Sequence, residues 1–150
     1  MNLRTPEPLK IEHQELHADL AAAIGTGGRT ADAARNVGRL LHPHFVKEEE
    51  YAMPPLGLLA DLARGTVEAD MSAVLAMTDR LEADLPHMLE EHAAVVAALT
   101  ELANAANEEG KPDAARFAEK LILHAQTEEQ VLYPAAMLVG RYLKLRLGRA

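Results

Sequence analysis

The amino-acid sequence predicts an all-α protein, folded as an up-down-up-down bundle of four helices. Nearly half of the 150 residues are hydrophobic (49%) but only 3% are aromatic, so Ala, Leu, Val and Met must form the core, which favours helices over strands. Along four segments, apolar residues recur at intervals of three and four positions. Short stretches rich in glycine or proline separate these segments, as expected for helices joined by loops.

The first two helices are each predicted from one apolar stripe and one breaking segment. The first helix should end at the glycine-rich segment 25–28, and its stripe consists of Leu9, His13, Leu16, Leu20 and Ile24. The second helix should begin at Thr30, a residue type favoured as an N-cap, and end at Pro54-Pro55. Its stripe consists of Val37, Leu41, His44, Glu48 and Tyr51. Residues 56–66 are apolar but contain two glycines, which predicts a connection with a short extra helix.

The third and fourth helices carry longer stripes, each with a proline inside. Pro86 should either kink the third helix or mark its true start, and Pro134 should bend the fourth. The third helix ends at the segment Gly110-Lys111-Pro112, and its stripe consists of Met71, Leu75, Thr78, Leu81, Leu85, Met88, His92, Val95, Leu99 and Leu102. The fourth stripe consists of Phe117, Leu121, His124, Glu128, Val131, Ala135, Leu138, Tyr142 and Leu145.

Charge and composition exclude several classes of function. The net charge of −8 argues against sequence-independent binding of nucleic acid. Without cysteine, the chain can form no disulfide, cysteine-ligated zinc site, cysteine-ligated iron–sulfur cluster or cysteine nucleophile. There is no apolar run of about 18 residues, and acids and histidines lie near the N-terminus, so we expect no transmembrane segment, no signal peptide and a cytoplasmic protein.

The chain is predicted to form one domain over residues 1–150, with a core from about 9 to 140 and a basic helical extension at 141–150. The cations of the extension suit the C-terminal end of a helix dipole, and they are Arg141, Lys144, Arg146 and Arg149. Contact of this segment with a membrane or a partner is the alternative. The sequence also leaves a homodimer open.

Six strongly polar residues interrupt the apolar stripes, and they are His13, His44, Glu48, His92, His124 and Glu128. Burial of one unpaired carboxylate costs on the order of several kcal/mol, so hydrogen bonds alone would hardly satisfy all six. A pair of metal ions would accept the imidazole nitrogens and carboxylate oxygens and would neutralise the negative charge. The alternative is a helical bundle with a polar network in its core.

Spacing within the chain supports the metal interpretation. His44 and Glu48 are four residues apart, as are His124 and Glu128, so each pair faces one way from its helix and the two glutamates are free to bridge. The segments HFVKEEEYAMP (44–54) and HAQTEEQVLYP (124–134) share a histidine, two consecutive glutamates and a proline, and each follows an EH pair at a similar distance. The chain therefore resembles two related helical hairpins that face each other.

The paired segments resemble the hemerythrin-like (HHE cation-binding) domains, over residues of about 9 to 140. This resemblance implies a four-helix bundle with a non-haem centre of two iron ions, bridged by oxo or hydroxo groups and by carboxylates, in which manganese or zinc could replace iron. Carried over position by position, the implied ligands are His13, His44, Glu48, His92, His124 and Glu128, with the two glutamates as bridges.

The sequence departs from the oxygen-carrying hemerythrins on two helices. Those proteins have a histidine four residues after the ligand of the third helix, where this chain has Val96, and an aspartate where this chain has Glu129. The ligand set is more similar to the sensory and enzymatic bacterial members, which argues against reversible oxygen carriage.

Several residues near the implied ligands have two interpretations each. His17 is a candidate fifth nitrogen ligand or an exposed histidine, although its level along the helix favours His13. Tyr51 is either a core residue or a group that fills an open position on the metal. Four glutamates can receive the second N–H of the ligand histidines or lie solvated at the surface, and they are Glu12, Glu49, Glu91 and Glu129.

The resemblance implies a protein that binds or reduces a small oxidant or gas, namely O2, H2O2 or NO, in oxidative or nitrosative stress or in iron handling. Its activity would be that of a peroxidase, a catalase-like enzyme or an NO-handling oxidoreductase, with an electron donor that the sequence does not identify. The alternatives are a metal- or gas-responsive binding module without turnover and a small iron-buffering protein.

Overall fold

A computed structural model describes residues 3–149 of the chain, and four long helical rods run through this part. The rods begin with α1 (Glu7–Gly25) and α2 (Gly28–Lys47), and α2 continues into a π-helical turn (Glu48–Ala52). The third rod is α4 (Leu75–Glu108). The fourth is α5 (Pro112–Thr127), a second π-helical turn (Glu128–Leu132) and α6 (Tyr133–Arg146).

A short helical connection joins the second rod to the third. It consists of a 3-10 turn (Pro54–Leu58), the short helix α3 (Leu59–Ala63) and a second 3-10 turn (Ala69–Val74). Helix α1 packs against α2 and α5, and α4 packs against α2, α5 and α6, so that rods adjacent in sequence are also adjacent in space. The predicted up-down-up-down bundle and its extra helical segment are therefore confirmed.

The core has two apolar regions with a polar layer between them. The region near the α1–α2 loop contains Leu16, Leu41, Val95 and Leu121, together with Phe45. The region at the other end of the bundle consists of two neighbouring clusters, one with Tyr51, Leu81, Met88 and Tyr133 and one that includes Leu58, Val74 and Leu143. On each rod the six polar stripe residues lie between these two regions in sequence, and all six are buried. The apolar regions therefore separate the polar layer from solvent along the bundle axis.

The start of α2 differs from the prediction. The N-cap is Gly27, at φ 72°, and Thr30 lies inside the helix, so the assignment of Thr30 as N-cap is wrong. Glu109, at the end of α4, accepts hydrogen bonds from the backbone N–H groups of Arg29 (3.2 Å) and Thr30 (2.8 Å) and from the Thr30 hydroxyl (2.6 Å). These bonds lower the pKa of Glu109 to about 2. The acceptor that a local N-cap would supply thus comes from another helix.

Helix α4 passes through Pro86 without a break, so Pro86 does not mark the start of the third helix. The expectation of a kink at this residue stays a prediction. Pro134 is the second residue of α6, directly after the π-helical turn. A proline ring clashes with the carbonyl four residues earlier in a regular α-helix, and a wide turn before Pro54 and Pro134 gives that carbonyl more room.

The π-helical turn changes which face of the fourth rod is buried. Tyr133, Ala136, Val139 and Leu143 are buried, whereas Val131 (56%), Leu138 (63%) and Leu145 (82%) are largely exposed. The predicted stripe is therefore wrong after Glu128, and Ala135 and Tyr142 are only half-buried. The physical reason is that a π-helical turn contains an extra residue, so every later side chain is rotated away from the position that a 3.6-residue period assigns to it.

Two cations of the basic extension pair with acids of the third rod. The Arg141 guanidinium contacts Glu82, and Lys144 Nζ lies 2.6 Å from Asp79 Oδ1. Helix α6 ends at Arg146 within this segment. Within residues 3–149, the helices are too short or too polar to cross a membrane.

Candidate metal centre

The six polar stripe residues form two groups of four that share their glutamates. We call the group of His13, His124, Glu48 and Glu128 site A, and the group of His44, His92, Glu48 and Glu128 site B. In each site the four potential ligand atoms lie within 4.8 Å of one another. Glu48 is 0% exposed and Glu128 is 1% exposed, so both carboxylates are out of contact with solvent. A metal ion in each site would have four protein ligands.

Each carboxylate directs one oxygen toward each site. Glu48 Oε1 lies 3.0 Å from His44 Nε2 in site B, and Glu48 Oε2 lies 3.9 Å from His13 Nε2 in site A. Glu128 Oε1 lies 3.3 Å from His92 Nε2 in site B, and Glu128 Oε2 lies 3.2 Å from His124 Nε2 in site A. This arrangement is the one that two carboxylates adopt when they bridge a pair of metal ions.

The distances between potential ligands fit a metal ion between them. With metal–ligand bonds of about 2.1 Å, ligands at right angles on one ion lie about 3 Å apart. In site B the two imidazole Nε2 atoms lie 2.8 Å apart, which is close to this spacing. In site A, His13 Nε2 is the most distant donor, at 3.8 Å from Glu128 Oε2.

Several polar atoms of the centre lack a hydrogen-bond partner among the residues that the structure describes. They are His44 Nδ1, both carboxylate oxygens of Glu48, His124 Nε2 and Glu128 Oε2. An unsatisfied buried polar group costs on the order of 1–3 kcal/mol, and more when it is charged. Because four of these five atoms point into sites A and B, metal ions would satisfy them together. The donor set therefore fits two cations.

The protonation of the metal-free centre reflects burial and the proximity of like charges. Burial and the neighbouring Glu128 raise the pKa of Glu48 well above its ordinary value. Burial alone would raise the pKa of Glu128 as well, but the adjacent Glu48 carboxyl and the surrounding histidines stabilise its charged form and hold the pKa well below the ordinary value. The two carboxyl groups thus share one proton, because two negative charges this close cannot both persist in a buried site.

The histidines of the centre differ in their protonation. Burial and the charge of His92 lower the pKa of His44 to about 4. Burial also disfavours the charged form of His92 and His124, but hydrogen bonds and the charge of Glu128 outweigh it and raise the pKa of both. In the metal-free protein His44 is therefore neutral, whereas His92 and His124 retain protons to higher pH.

Four glutamates face the outer nitrogens of the four histidines. Glu12 accepts a hydrogen bond from His124 Nδ1, and Glu129 Oε1 lies 2.9 Å from His92 Nδ1. Glu91 Oε2 lies 3.7 Å from His44 Nδ1, and Glu49 Oε1 lies 4.0 Å from His13 Nδ1. Carboxylates in this position orient imidazoles and leave Nε2 free for a metal.

The contacts repeat between the two halves of the chain. Within each half, one glutamate contacts a histidine of the same half, as Glu49 contacts His13 and Glu129 contacts His92. Between the halves, Glu12 contacts His124 and the matching Glu91 contacts His44. Both kinds of contact are therefore repeated in the two predicted hairpins, as expected for a pseudo-twofold arrangement.

Tyr133 is a residue of the centre that the sequence analysis missed. Its hydroxyl oxygen lies 3.2 Å from His44 Nε2 and 3.1 Å from His92 Nε2, and its ring stacks near His92. Burial and the charges of Glu48 and Glu128 raise its pKa. Tyr133 follows Glu128 by five residues, so a 3.6-residue period places it off the stripe, whereas a π-helical turn returns it to the face of Glu128. One feature of the sequence could have indicated this wide turn, namely the spacing from Glu128 to Pro134, which is the same as the spacing from Glu48 to Pro54.

The remaining candidates lie outside the two groups. Tyr51 directs its hydroxyl to Asp84, and His17 is exposed and packs edge-on against Phe45. Glu129 contacts the outer nitrogen of His92. His42 and His87, which the periodicity places off the stripes, are exposed.

Sites A and B differ in their access to solvent. His13 of site A borders a surface cleft of about 570 Å³, which is also lined by Arg4, Lys10, His17 and Glu49. Site B is more buried, with His44 and His92 enclosed by Tyr133 and by Glu91, whose carboxylate accepts a hydrogen bond from Lys47 Nζ at 2.8 Å. A small molecule in this cleft would therefore meet site A first.

Comparison with known proteins identifies the family. The family model described as the Hemerythrin HHE cation binding domain matches residues 5–136, a range that contains all six polar stripe residues. No curated protein and no solved structure matches the chain significantly. With most of its length matched, with a helical bundle and with two buried His/Glu groups, the chain belongs to the hemerythrin-like family of HHE cation-binding domains.

Proposed function

We propose that this protein holds two metal ions, iron in the first instance, and uses them to bind or reduce a small oxidant or gas such as O2, H2O2 or NO. The observation that carries the proposal is the division of each buried carboxylate, which offers one oxygen to site A and the other to site B. Two single-metal sites that were independent of each other would not need shared glutamates.

The side chains of the centre would hold the ions and fix their spacing. The histidines would bind through Nε2, with Glu12 and Glu129 fixing the rings of His124 and His92 from the outer side. The ions would supply open coordination positions and electrons for a small oxidant. The apolar regions on both sides of the polar layer exclude bulk water and larger molecules.

The ligand chemistry favours iron but also accepts other metals. A mixed set of imidazoles and carboxylates binds iron, manganese and zinc, and availability decides among them. A redox metal is required for the reduction of an oxidant, so manganese could support this function and zinc could not. A role in oxidative or nitrosative stress or in iron handling, in the cytoplasm, is the setting in which we place the protein.

The first experiment is the metal content of the full chain, loaded with Fe(II) without oxygen and then desalted. We expect about two iron ions per chain, one for each group of ligands, and higher thermal stability than in the metal-free protein. Exposed His42 lies on the same helix as His44 and provides a matched control. The variant His42→Ala should keep both ions, and His44→Ala should not.

Assays on the loaded protein then separate the possible functions. Consumption of H2O2 or reduction of NO that is lost in Glu128→Ala would support an enzyme. Binding of O2 or NO without turnover would instead support a sensory module, and free exchange of iron without either would support a buffer. A chain that binds no metal and whose stability is unchanged by Fe(II) would contradict the proposed function.

A further inference from the structure

Tyr133 lies beside site B, and the first hairpin has no tyrosine at the corresponding position. Its hydroxyl oxygen lies 3.1 Å from His92 Nε2 and 3.2 Å from His44 Nε2, and those two nitrogens lie 2.8 Å apart. Three donor atoms with mutual distances near 3 Å have the spacing of three neighbouring ligands on one metal ion. The phenol oxygen thus belongs to the same cluster as the imidazole nitrogens.

The hydrogen bonds that hold the Tyr133 hydroxyl cannot persist once both neighbouring histidines bind a metal ion. Within the described residues, the hydrogen-bond partners of this hydroxyl are the Nε2 atoms of His44 and His92. When both nitrogens bind a metal, their lone pairs are used and neither can accept a hydrogen bond. The buried hydroxyl would then be unsatisfied, which is costly, unless its oxygen binds the same ion.

We propose that Tyr133 is an additional ligand of the metal at site B, through its phenolate oxygen, and that the metal at site A therefore takes the exogenous small molecule. The inference rests on the proposed function, because it requires metal ions in both sites. When Tyr133 binds, the O–H bond breaks and one proton leaves to solvent, so the phenolate donates the electron pair and no oxidant or reductant is consumed.

The corresponding position of the first hairpin lacks this donor. In the segments 44–54 and 124–134, Met53 stands where Tyr133 stands. A thioether is a soft ligand and a poor donor to ferric iron, whereas a phenolate is a hard oxygen donor. Site B thus has one protein ligand, Tyr133, that has no counterpart at site A.

The surface cleft independently points to site A as the open position. His13 lines this cleft of about 570 Å³, and none of the site B histidines does. The cleft is lined by two cations, Arg4 and Lys10, and by two carboxylates, Glu7 and Glu49, so its charges balance and it admits neutral molecules as well as small anions. Azide is a suitable probe, since it is a small anion that binds ferric iron.

The visible absorption spectrum of the Fe(III)-loaded full chain tests the tyrosine ligand. Phenolate bound to ferric iron produces a charge-transfer band and enhanced tyrosine modes in the resonance Raman spectrum. We expect both in the wild type and neither in Tyr133→Phe. The matched control is Tyr51→Phe, because the Tyr51 hydroxyl is directed to Asp84 and its loss should leave both signals unchanged.

Metal content separates failure of this inference from failure of the proposed function. If Tyr133→Phe retains about two iron ions but the wild type has no phenolate band, Tyr133 is not a ligand and the inference is wrong. A band that persists in Tyr133→Phe but disappears in Tyr51→Phe would also overturn it. If the wild type binds no metal, the proposed function itself fails.

Azide binding tests which metal is open. At saturation the Fe(III)-loaded wild type should bind about one azide per chain without loss of the phenolate band, because only site A has a free position. Tyr133→Phe should bind about two, because the removed phenolate frees a position at site B. Displacement of the phenolate by azide in the wild type, or equal azide stoichiometry in the two proteins, would contradict the assignment of site A.

Discussion

Sites A and B contain related residues but have different surroundings. Both combine two histidines with the same two glutamates, yet His13 of site A stacks on Phe45, with ring centroids 4.3 Å apart, and borders the surface cleft. His92 of site B instead packs beside Tyr133, with ring centroids 5.5 Å apart. The two hairpins supply matching histidines and glutamates, so the difference between the sites comes from positions at which their sequences differ, such as Met53 and Tyr133.

Removal of a shared glutamate should have the largest effect, because it damages both sites at once. We expect Glu48→Ala and Glu128→Ala to lose both metal ions and the associated stabilisation, which is about 4 kcal/mol when the metal is present at a thousandfold excess over Kd. Without metal, Glu128→Ala should reduce the free energy of unfolding by about 3–5 kcal/mol, because it removes the carboxylate that faces His92 and His124. Glu48→Ala should reduce it by less, because burial and Glu128 raise the pKa of Glu48 and thereby favour its neutral form. Calorimetric unfolding with and without metal measures both quantities.

A variant that loses one ion and retains the other would contradict this prediction. In that case each carboxylate would bind the metal of one site only, and the two sites would not be coupled through shared glutamates.

Removal of one histidine should affect its own site more than the other. We expect His13→Ala to reduce the iron content from about two ions per chain to about one and to retain the phenolate band of site B. His92→Ala should also lose one ion, but it should lose the phenolate band with it. Metal analysis together with visible absorption distinguishes the two variants.

Equal spectra for His13→Ala and His92→Ala would show that the two ions cannot be removed separately. Exposed His87, on the same helix as His92, provides the control, and His87→Ala should resemble the wild type.

The four outer glutamates should contribute less, and unequally. Glu12→Gln and Glu129→Gln remove carboxylates that are hydrogen-bonded to the histidines, so each should reduce metal affinity by about 10- to 100-fold. Glu49→Gln and Glu91→Gln should reduce it by less than about tenfold, because their carboxylates lie 4.0 and 3.7 Å from the nearest ring nitrogens. Competition with a chelator of known affinity measures all four.

The same four variants compare the two sites, since each site has one close and one distant glutamate. A larger loss for Glu49→Gln than for Glu12→Gln would contradict the role that we assign to the hydrogen bonds.

The pH dependence of metal binding should distinguish the first ion from the second. The raised pKa values of Glu48, His92 and His124 mean that these groups hold protons that a metal must displace, so affinity should increase as the pH rises toward those values. Each displaced proton contributes about a tenfold change in affinity per pH unit. Binding of the first ion displaces the proton that the two carboxyl groups share. Binding of the second ion therefore releases no further proton from these carboxyl groups.

Titration with Co(II) at several pH values should therefore give a steeper slope for the first binding step than for the second. Equal slopes would indicate that the carboxyl groups release no shared proton. His44, whose pKa is lowered to about 4, should contribute to neither slope above pH 5.

The sequence predicted the fold and the burial of the six polar stripe residues because these lie where the helices are regular. On α1, α2, α4 and α5, a 3.6-residue period assigns His13, His44, His92 and His124 to the buried face, and all four are buried. Their role as metal ligands remains a prediction. Tyr133 could not be predicted in this way, because it follows a π-helical turn that changes the period.

The start of α2 was mispredicted for a different reason. Thr30 satisfies the local rule for an N-cap, but the acceptor that the helix uses is Glu109, which lies far along the chain and becomes available only in the folded bundle. Local preference identifies the residue type that can cap a helix, and tertiary structure decides which group does so.

The π-helical turns also determine how this chain tolerates changes in length. The wide turn between Glu128 and Pro134 accommodates one residue more than a regular α-helical turn. Deletion of one residue there would therefore leave Tyr133 and α6 on their present face, because the wide turn would close into an ordinary one. If the turn became regular with all of its residues retained, α6 would rotate by about 100° relative to α5. Leu138 and Leu145 would then move toward the bundle, while Tyr133 and Gly140 would turn away from it. Gly140 is placed where α6 approaches α4 so closely that an added Cβ would lie 2.6 Å from Thr78 Cβ. The one extra residue in this short segment therefore selects which of two apolar faces the last helix presents to the core.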